Sequence, residues 1–230
     1  MEHMYSQQLM EQFRAGRKEF SNIFLQFCEI NSTDLSGIVF NNSKIEYARF
    51  WFSNMKGVKF VNCDIYFSGF YCANLENAVF ENCTIDMTRF DGAEVKNTKM
   101  TNSKLSYCLA TNLNLGEIDF HGSSRFKMIT NPDSITDEDV ADAIKIIGNR
   151  TEDLPIEIKS AILKRVQSMA EKFNKDPKGI DVSASKKSYA TRTGDKSENL
   201  YHAINSFTDE IIKYGSSEIY KSRKKDIYKN

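Results

Sequence analysis

The sequence predicts an all-β solenoid over residues 18–122, preceded by a short capping helix (residues 1–17) and followed by an α-helical segment (residues 123–230). Two observations carry the solenoid. Every fifth residue from Phe20 to Phe120, 21 positions in all, is apolar, and only Ala110 among them is small. Two residues before most of these lies a second register of small side chains, among them Cys28, Ala48, Cys63, Ala78, Cys83 and Cys108. Neither the 3.6-residue period of a helix nor the two-residue period of a strand makes a spacing of five. One large and one small inward residue per five, with polar residues between, needs a chain that turns a corner at every unit.

The unit resembles that of the pentapeptide-repeat family, A-(D/N)-L-x-x. It is clearest at Ala73-Asn74-Leu75-Glu76-Asn77 and in the next unit, Ala78-Val79-Phe80-Glu81-Asn82. The resemblance spans about 100 residues and implies a right-handed quadrilateral β-helix, with four units to a coil and about five coils here. Residues one coil apart should then stack, and the columns do sort. Two opposite faces are aromatic: Phe20, Phe40, Phe60, Phe80, Met100 and Phe120 on one, Ile30, Phe50, Phe70, Phe90 and Ala110 on the other. The faces between are aliphatic, as in Leu25, Ile45, Ile65, Ile85 and Leu105. Stacked rings fill such a core well.

The corners follow the same logic. Asn22, Asn42, Asn62, Asn82 and Asn102 form one column, and Gly37, Gly57, Asn77 and Asn97 another. Gly and Asn tolerate positive φ, and stacked amides can hydrogen-bond from rung to rung. Four of the five cysteines fall in the small inward register, which reads as core filling rather than metal binding.

One corner departs from this. Its column is Phe27, Tyr47, Phe67, Met87 and Tyr107, flanked by Trp51, Phe52, Tyr66 and Tyr71, at positions the family points outward. A continuous aromatic strip exceeds the scattered apolar exposure of a water-soluble surface. Tyr and Trp are also the residues that most often anchor interfaces. Three occupants fit such a strip: the chain's own C-terminal helices, a second copy in a homodimer, or another protein.

Met4 to Ala15 reads as a helix carrying Leu9, Met10 and Phe13 on one face, suited to covering the first rung. After Phe120 the apolar register is lost at Ser123–Phe126. Helices are expected near 136–149, 156–174 and 198–214, with a loop over 175–197. No family resemblance attaches to this segment.

Lys and Arg total 31, as do Asp and Glu, so no global charge draws the chain to nucleic acid or to an anionic membrane. Direct nucleic-acid binding is not expected, and no apolar run approaches the ~20 residues of a membrane span. Odd, unpaired cysteines and a polar N-terminus suit reduced thiols in the cytoplasm. No phosphate loop, HExxH, nucleophile elbow or paired-Cys zinc pattern occurs. The expectation is therefore a protein without catalytic residues, cofactor or metal: an interaction scaffold for protein partners. The resemblance also implies an alternative, a DNA-mimicking modulator of type II topoisomerase (DNA gyrase) of the quinolone-resistance kind. The coil bearing Glu76, Glu81, Asp86, Asp91 and Glu94 supports it, whereas Lys56, Lys59, Lys96 and Lys99 stand where a DNA mimic would want carboxylates. A secreted effector or toxin-system component is a further alternative with no positive motif behind it.

Overall fold

A computed structural model describes residues 1–130. The helices and loop expected in the C-terminal segment lie outside the described residues. In chain order the elements are β1 (Glu2–Met4), α1 (Ser6–Arg14), β2 (Glu19–Ser21), β3 (Ile23–Gln26), β4 (Val39–Asn41), β5 (Lys44–Glu46) and β6 (Lys59–Val61). There follow β7 (Asp64–Tyr66), β8 (Val79–Glu81), β9 (Thr84–Asp86), β10 (Thr98–Thr101), β11 (Lys104–Ser106), β12 (Ile118–Asp119) and β13 (Ser124–Phe126).

All strand pairs are parallel and, from β2 onward, offset by 20 residues. Phe20, Phe40, Phe60, Phe80 and Met100 pair up one sheet, of order β2-β4-β6-β8-β10-β12. Leu25, Ile45, Ile65, Ile85, Leu105 and Arg125 climb the other, of order β1-β3-β5-β7-β9-β11-β13. Two further sides are ladders of single bridges: Glu29, Arg49, Gly69, Arg89, Leu109 and Ile129 on one, Asp34, Asn54, Asn74 and Glu94 on the other. Four sides in register make the parallel-strand solenoid that the columns imply.

Inside, the Phe columns stack as expected. Phe40 and Phe60 lie 5.1 Å apart at 9°, Phe60 and Phe80 4.9 Å apart at 15°, and Phe50 and Phe70 5.4 Å apart at 10°. The two stacks meet edge to face, Phe60 against Phe70 at 72° and Phe80 against Phe90 at 85°. Small inward residues keep the turns compact and return their polar atoms to the backbone. The Ser53 hydroxyl donates to the Ile30 carbonyl at 2.8 Å, and that of Thr98 to Leu75 at 2.8 Å. The corner asparagines have φ between 47° and 58°. Asn82 donates to the Asn62 amide oxygen and Asn97 to that of Asn77, both at 3.2 Å. On the last rung Gly122 takes the asparagine's place, because a Cβ there would collide with the Asn102 side-chain oxygen.

The ends differ from the expectation. The solenoid has about six turns rather than five, because rungs are added at both ends. At the N-terminus β1 precedes the helix and pairs with β3, placing Met4 beside Leu25. Helix α1 then buries Leu9 against the core, with Met10 and Phe13 partly covered. At the C-terminus the 20-residue register survives the stretch where the sequence pattern breaks. Ser124, Arg125 and Phe126 pair with Lys104, Leu105 and Ser106, and Leu109 bridges Ile129. The backbone ladder continues because it depends on N–H and C=O groups. The sequence pattern fails there because the inward slot holds Arg125 instead of an aliphatic residue.

Candidate interaction surface

The aromatic corner is strained backbone. Phe27, Tyr47, Phe67, Met87 and Tyr107 all adopt left-handed φ, from 49° to 53°, where bulky side chains are disfavoured by about 1–2 kcal/mol each. Each is held there by its own ladder bond, as from the Tyr47 N–H to the Tyr66 carbonyl (3.1 Å) and the Met87 N–H to the Ser106 carbonyl (2.9 Å). Asparagine or glycine would fit this backbone at lower cost, as at the neighbouring corners. The side chains here are therefore retained for what they contact, and strain of this kind points to function or to packing.

The nine strip residues divide into two groups. Phe27, Tyr47, Tyr66, Phe67, Met87 and Tyr107 are buried, Tyr47 and Tyr66 fully so. Phe27 stacks on Tyr47 (5.2 Å, 15°), and Tyr47 meets Tyr66 edge-on (5.6 Å, 90°). Trp51 and Tyr71 are half-buried, and Phe52 is 55% exposed. A molecule approaching in solvent meets the second group.

That second group is a built cluster. Gly69 carries no side chain, and a Cβ there would stand 2.5 Å from the indole nitrogen of Trp51. The indole lies over this bare backbone. The Arg49 guanidinium sits 4.7 Å from the indole centre, and that of Arg89 lies 5.7 Å from it and 5.2 Å from the Tyr71 ring. Arg49 is paired with Glu29 at 2.9 Å and Arg89 with Asp91 at 3.0 Å. The Thr111 hydroxyl donates to the other Asp91 oxygen at 2.6 Å. Tyr71 stands near-perpendicular to Trp51 (6.0 Å, 70°) and to Phe52 (5.3 Å, 87°). Phe52 occupies a left-handed corner (φ 56°) pinned by its N–H to the Tyr71 carbonyl at 2.9 Å.

Arg49, Gly69 and Arg89, which make this bed, were not among the residues the sequence singled out, and Asp91 stood out only as one of a set of acidic residues. A signal existed. Gly69 sits mid-face, away from the corners where backbone needs explain a glycine, with an arginine one rung to either side.

The residues set aside as core are core. All five cysteines are free, and only Cys72, at the corner beside Phe52, is reachable from solvent. Burial pushes the Cys28 thiol up to about 11 and the Cys108 thiol up to about 12. Cys83 is raised further by its hydrogen bond with Cys63 and by burial, which keeps it a thiol. Among the described residues no three His, Cys, Asp or Glu side chains gather as metal ligands. No helix among them is long and apolar enough to cross a membrane.

No family model matches the chain, and no curated protein does. Solved structures do. A pentapeptide repeat protein, Rfr23, from the cyanobacterium Cyanothece 51142 is 12% identical, with a TM-score of 0.39 over 54% of this chain and 99% of its own. One from the Arabidopsis thaliana thylakoid lumen is 18% identical, with a TM-score of 0.32 over 58% of this chain and 79% of its own. The described residues form a parallel-strand β-solenoid of about six turns. Full-length QnrB1, a plasmid-mediated fluoroquinolone resistance protein, is also matched, at 13% identity and a TM-score of 0.20 over 54% of this chain and 89% of its own. In this solenoid the cluster of Trp51, Phe52 and Tyr71 stands outside the repeating columns that build the core.

Proposed function

We propose that this pentapeptide-repeat solenoid is a non-catalytic interaction scaffold, and that a protein partner docks on the Trp51–Phe52–Tyr71 cluster. The observation that carries the reading is Phe52: a large apolar side chain more than half exposed, at a corner held by ladder hydrogen bonds. Interface energy concentrates in a few aromatic and Arg anchors, and anchors held rigid before binding lose less entropy on association. Trp51 is such an anchor, seated on Gly69 between two guanidiniums whose charges are already paired inside the protein.

The DNA-mimic alternative has fewer carboxylates to draw on than its sequence suggests. Asp91 is buried and paired with Arg89, Glu76 is bound to Lys56 at 2.8 Å, and Asp86 accepts from Ser106. The Lys56 ammonium holds the Glu76 carboxyl below the usual carboxylate range.

The test is capture by the full-length protein, with Phe52→Asp as comparison. A partner retained by the parent protein and lost from a folded Phe52→Asp variant supports the reading. Identical capture by both proteins rejects it. A DNA gyrase supercoiling assay with the parent protein addresses the alternative.

A further inference from the structure

Phe52 belongs to a column of its own. The corner between the two bridge-ladder sides reads Ser32, Phe52, Cys72, Gly92 and Asn112, one residue per rung, all at left-handed φ between 49° and 63°. The N–H groups of Ser32, Phe52, Cys72 and Gly92 each donate to the next rung at 2.8–3.0 Å, so the column is a rigid ridge. Its relief is uneven. Phe52 is 55% exposed, Ser32, Gly92 and Asn112 are exposed, and Cys72 is half-buried. The backbone does not demand glycine at position 92, since four residues with side chains make the same turn. A Cβ there would stand 3.1 Å from the Cys72 sulfur, and its absence leaves a bare step in the ridge.

The ring and the step lie one rung to either side of Cys72. A two-fold axis through the Cys72 rung, running across the solenoid, therefore sets Phe52 of each copy against Gly92 of the other. The neighbouring column, Asp34, Asn54, Asn74 and Glu94, agrees with that axis. It brings the Glu94 carboxylate against the Asn54 amide of the second copy, an acceptor against a donor, and Asn74 against its own counterpart. Sliding one copy by a rung loses the match. In one direction Asp34 meets Glu94, carboxylate on carboxylate, and in the other Phe52 meets Asn112.

We infer that the partner docking on Phe52 is a second copy of this chain, paired antiparallel along this ridge with each Phe52 seated on the other copy's Gly92. The inference rests on the docking reading above and names its partner. Lys56 and Lys96, one step further round, would meet with like charge if the two faces lay flat, which keeps the contact on the ridge. Ridge-on-ridge contact buries little area, so the pair belongs to the weak, transient class. Self-complementarity closes the assembly at two copies.

The test is sedimentation of the whole chain from about 1 µM to about 1 mM, with circular dichroism to establish folding. The mass of the parent should approach a doubling as concentration rises. Phe52→Asp should weaken the pair at least about tenfold, and so should Gly92→Asn, which keeps the left-handed turn and fills the step. Asn54→Asp sets a carboxylate against Glu94 and should weaken it as well, and adding Glu94→Gln should restore it. A doubling that folded Phe52→Asp or Gly92→Asn leaves unchanged overturns the inference, as does growth beyond two copies or an Asn54→Asp loss that Glu94→Gln does not rescue. A parent that stays single throughout also overturns it. If that single parent still captures a different protein and loses it on Phe52→Asp, only this inference falls and the docking reading stands.

Discussion

Two sets of aromatic rings in this protein obey different rules. The inner set, Phe40, Phe60 and Phe80 with Phe50, Phe70 and Phe90, repeats the rung spacing. Its rings lie parallel at 4.9–5.4 Å, each placed by a strand or bridge that also places its neighbours. The outer set, Trp51, Phe52 and Tyr71, ignores the repeat. Its rings stand at 70° and 87°, on two rungs only, over a glycine and between two ion-paired arginines. The inner rings are interchangeable members of a column and serve the fold. The outer rings are individual, and the fold would survive without them. A repeat protein can thus carry an irregular cluster at a few positions while its ladder stays uniform.

Substitutions can break that contrast in graded fashion. The largest expected effect is Phe60→Ala, which opens a cavity between Phe40, Phe80 and Phe70 and should cost about 3–5 kcal/mol in chemical denaturation. A loss below about 1 kcal/mol would mean that the inner stack can collapse around a void. Tyr47→Asn should cost about 2 kcal/mol. Loss of the buried ring outweighs the roughly 1–2 kcal/mol recovered from a better left-handed residue. A net stabilisation would show that the buried corner ring adds little to the fold.

Gly69→Ala sharpens the outer half of the comparison. The new methyl displaces Trp51 from its bed, at a cost of about 1–3 kcal/mol. Trp51 is the only tryptophan in the chain. Its fluorescence should therefore shift and become more accessible to acrylamide. An unchanged spectrum would place the indole elsewhere. Phe52→Ala should be the smallest, within about 0.5 kcal/mol of the parent, because an exposed ring contributes little to folding.

Thiol chemistry gives an independent check on which positions face inward. In the native protein Cys72 alone should react quickly with a thiol reagent at neutral pH, the other four only after unfolding. The raised folded-state values of Cys28 and Cys108 also have a sign. Unfolded thiols ionise near 9.0, whereas these hold their protons to about 11 and about 12. Their contribution is intact below about pH 9 and is lost as pH rises through 9 toward 12. A denaturation midpoint flat over that window would contradict their burial.

Much of this was legible in the residues. The apolar register at five, the small companion register and the Asn and Gly corners are each repeated many times, so the columns average out local exceptions. The column from Phe27 to Tyr107 was legible as an exception for the same reason. Its division was not. Tyr66 and Phe52 are both aromatic residues at nominally outward positions, yet one is fully buried and the other mostly exposed. Nothing in spacing distinguishes them.

By itself, then, the sequence determined the period, the four-sided coil and the identity of the residues that fill it, because burial against a repeating backbone imposes the same demand at every rung. Tertiary structure alone decided how far that repetition runs and which of the aromatic corner residues reach solvent. Arg125 sits in a rung that side-chain pattern had written off, since parallel hydrogen bonds continue whatever the side chain. Trp51 lies on Gly69, and Phe52 projects beside it, because contacts between neighbouring rungs depend on individual shapes that no periodicity encodes.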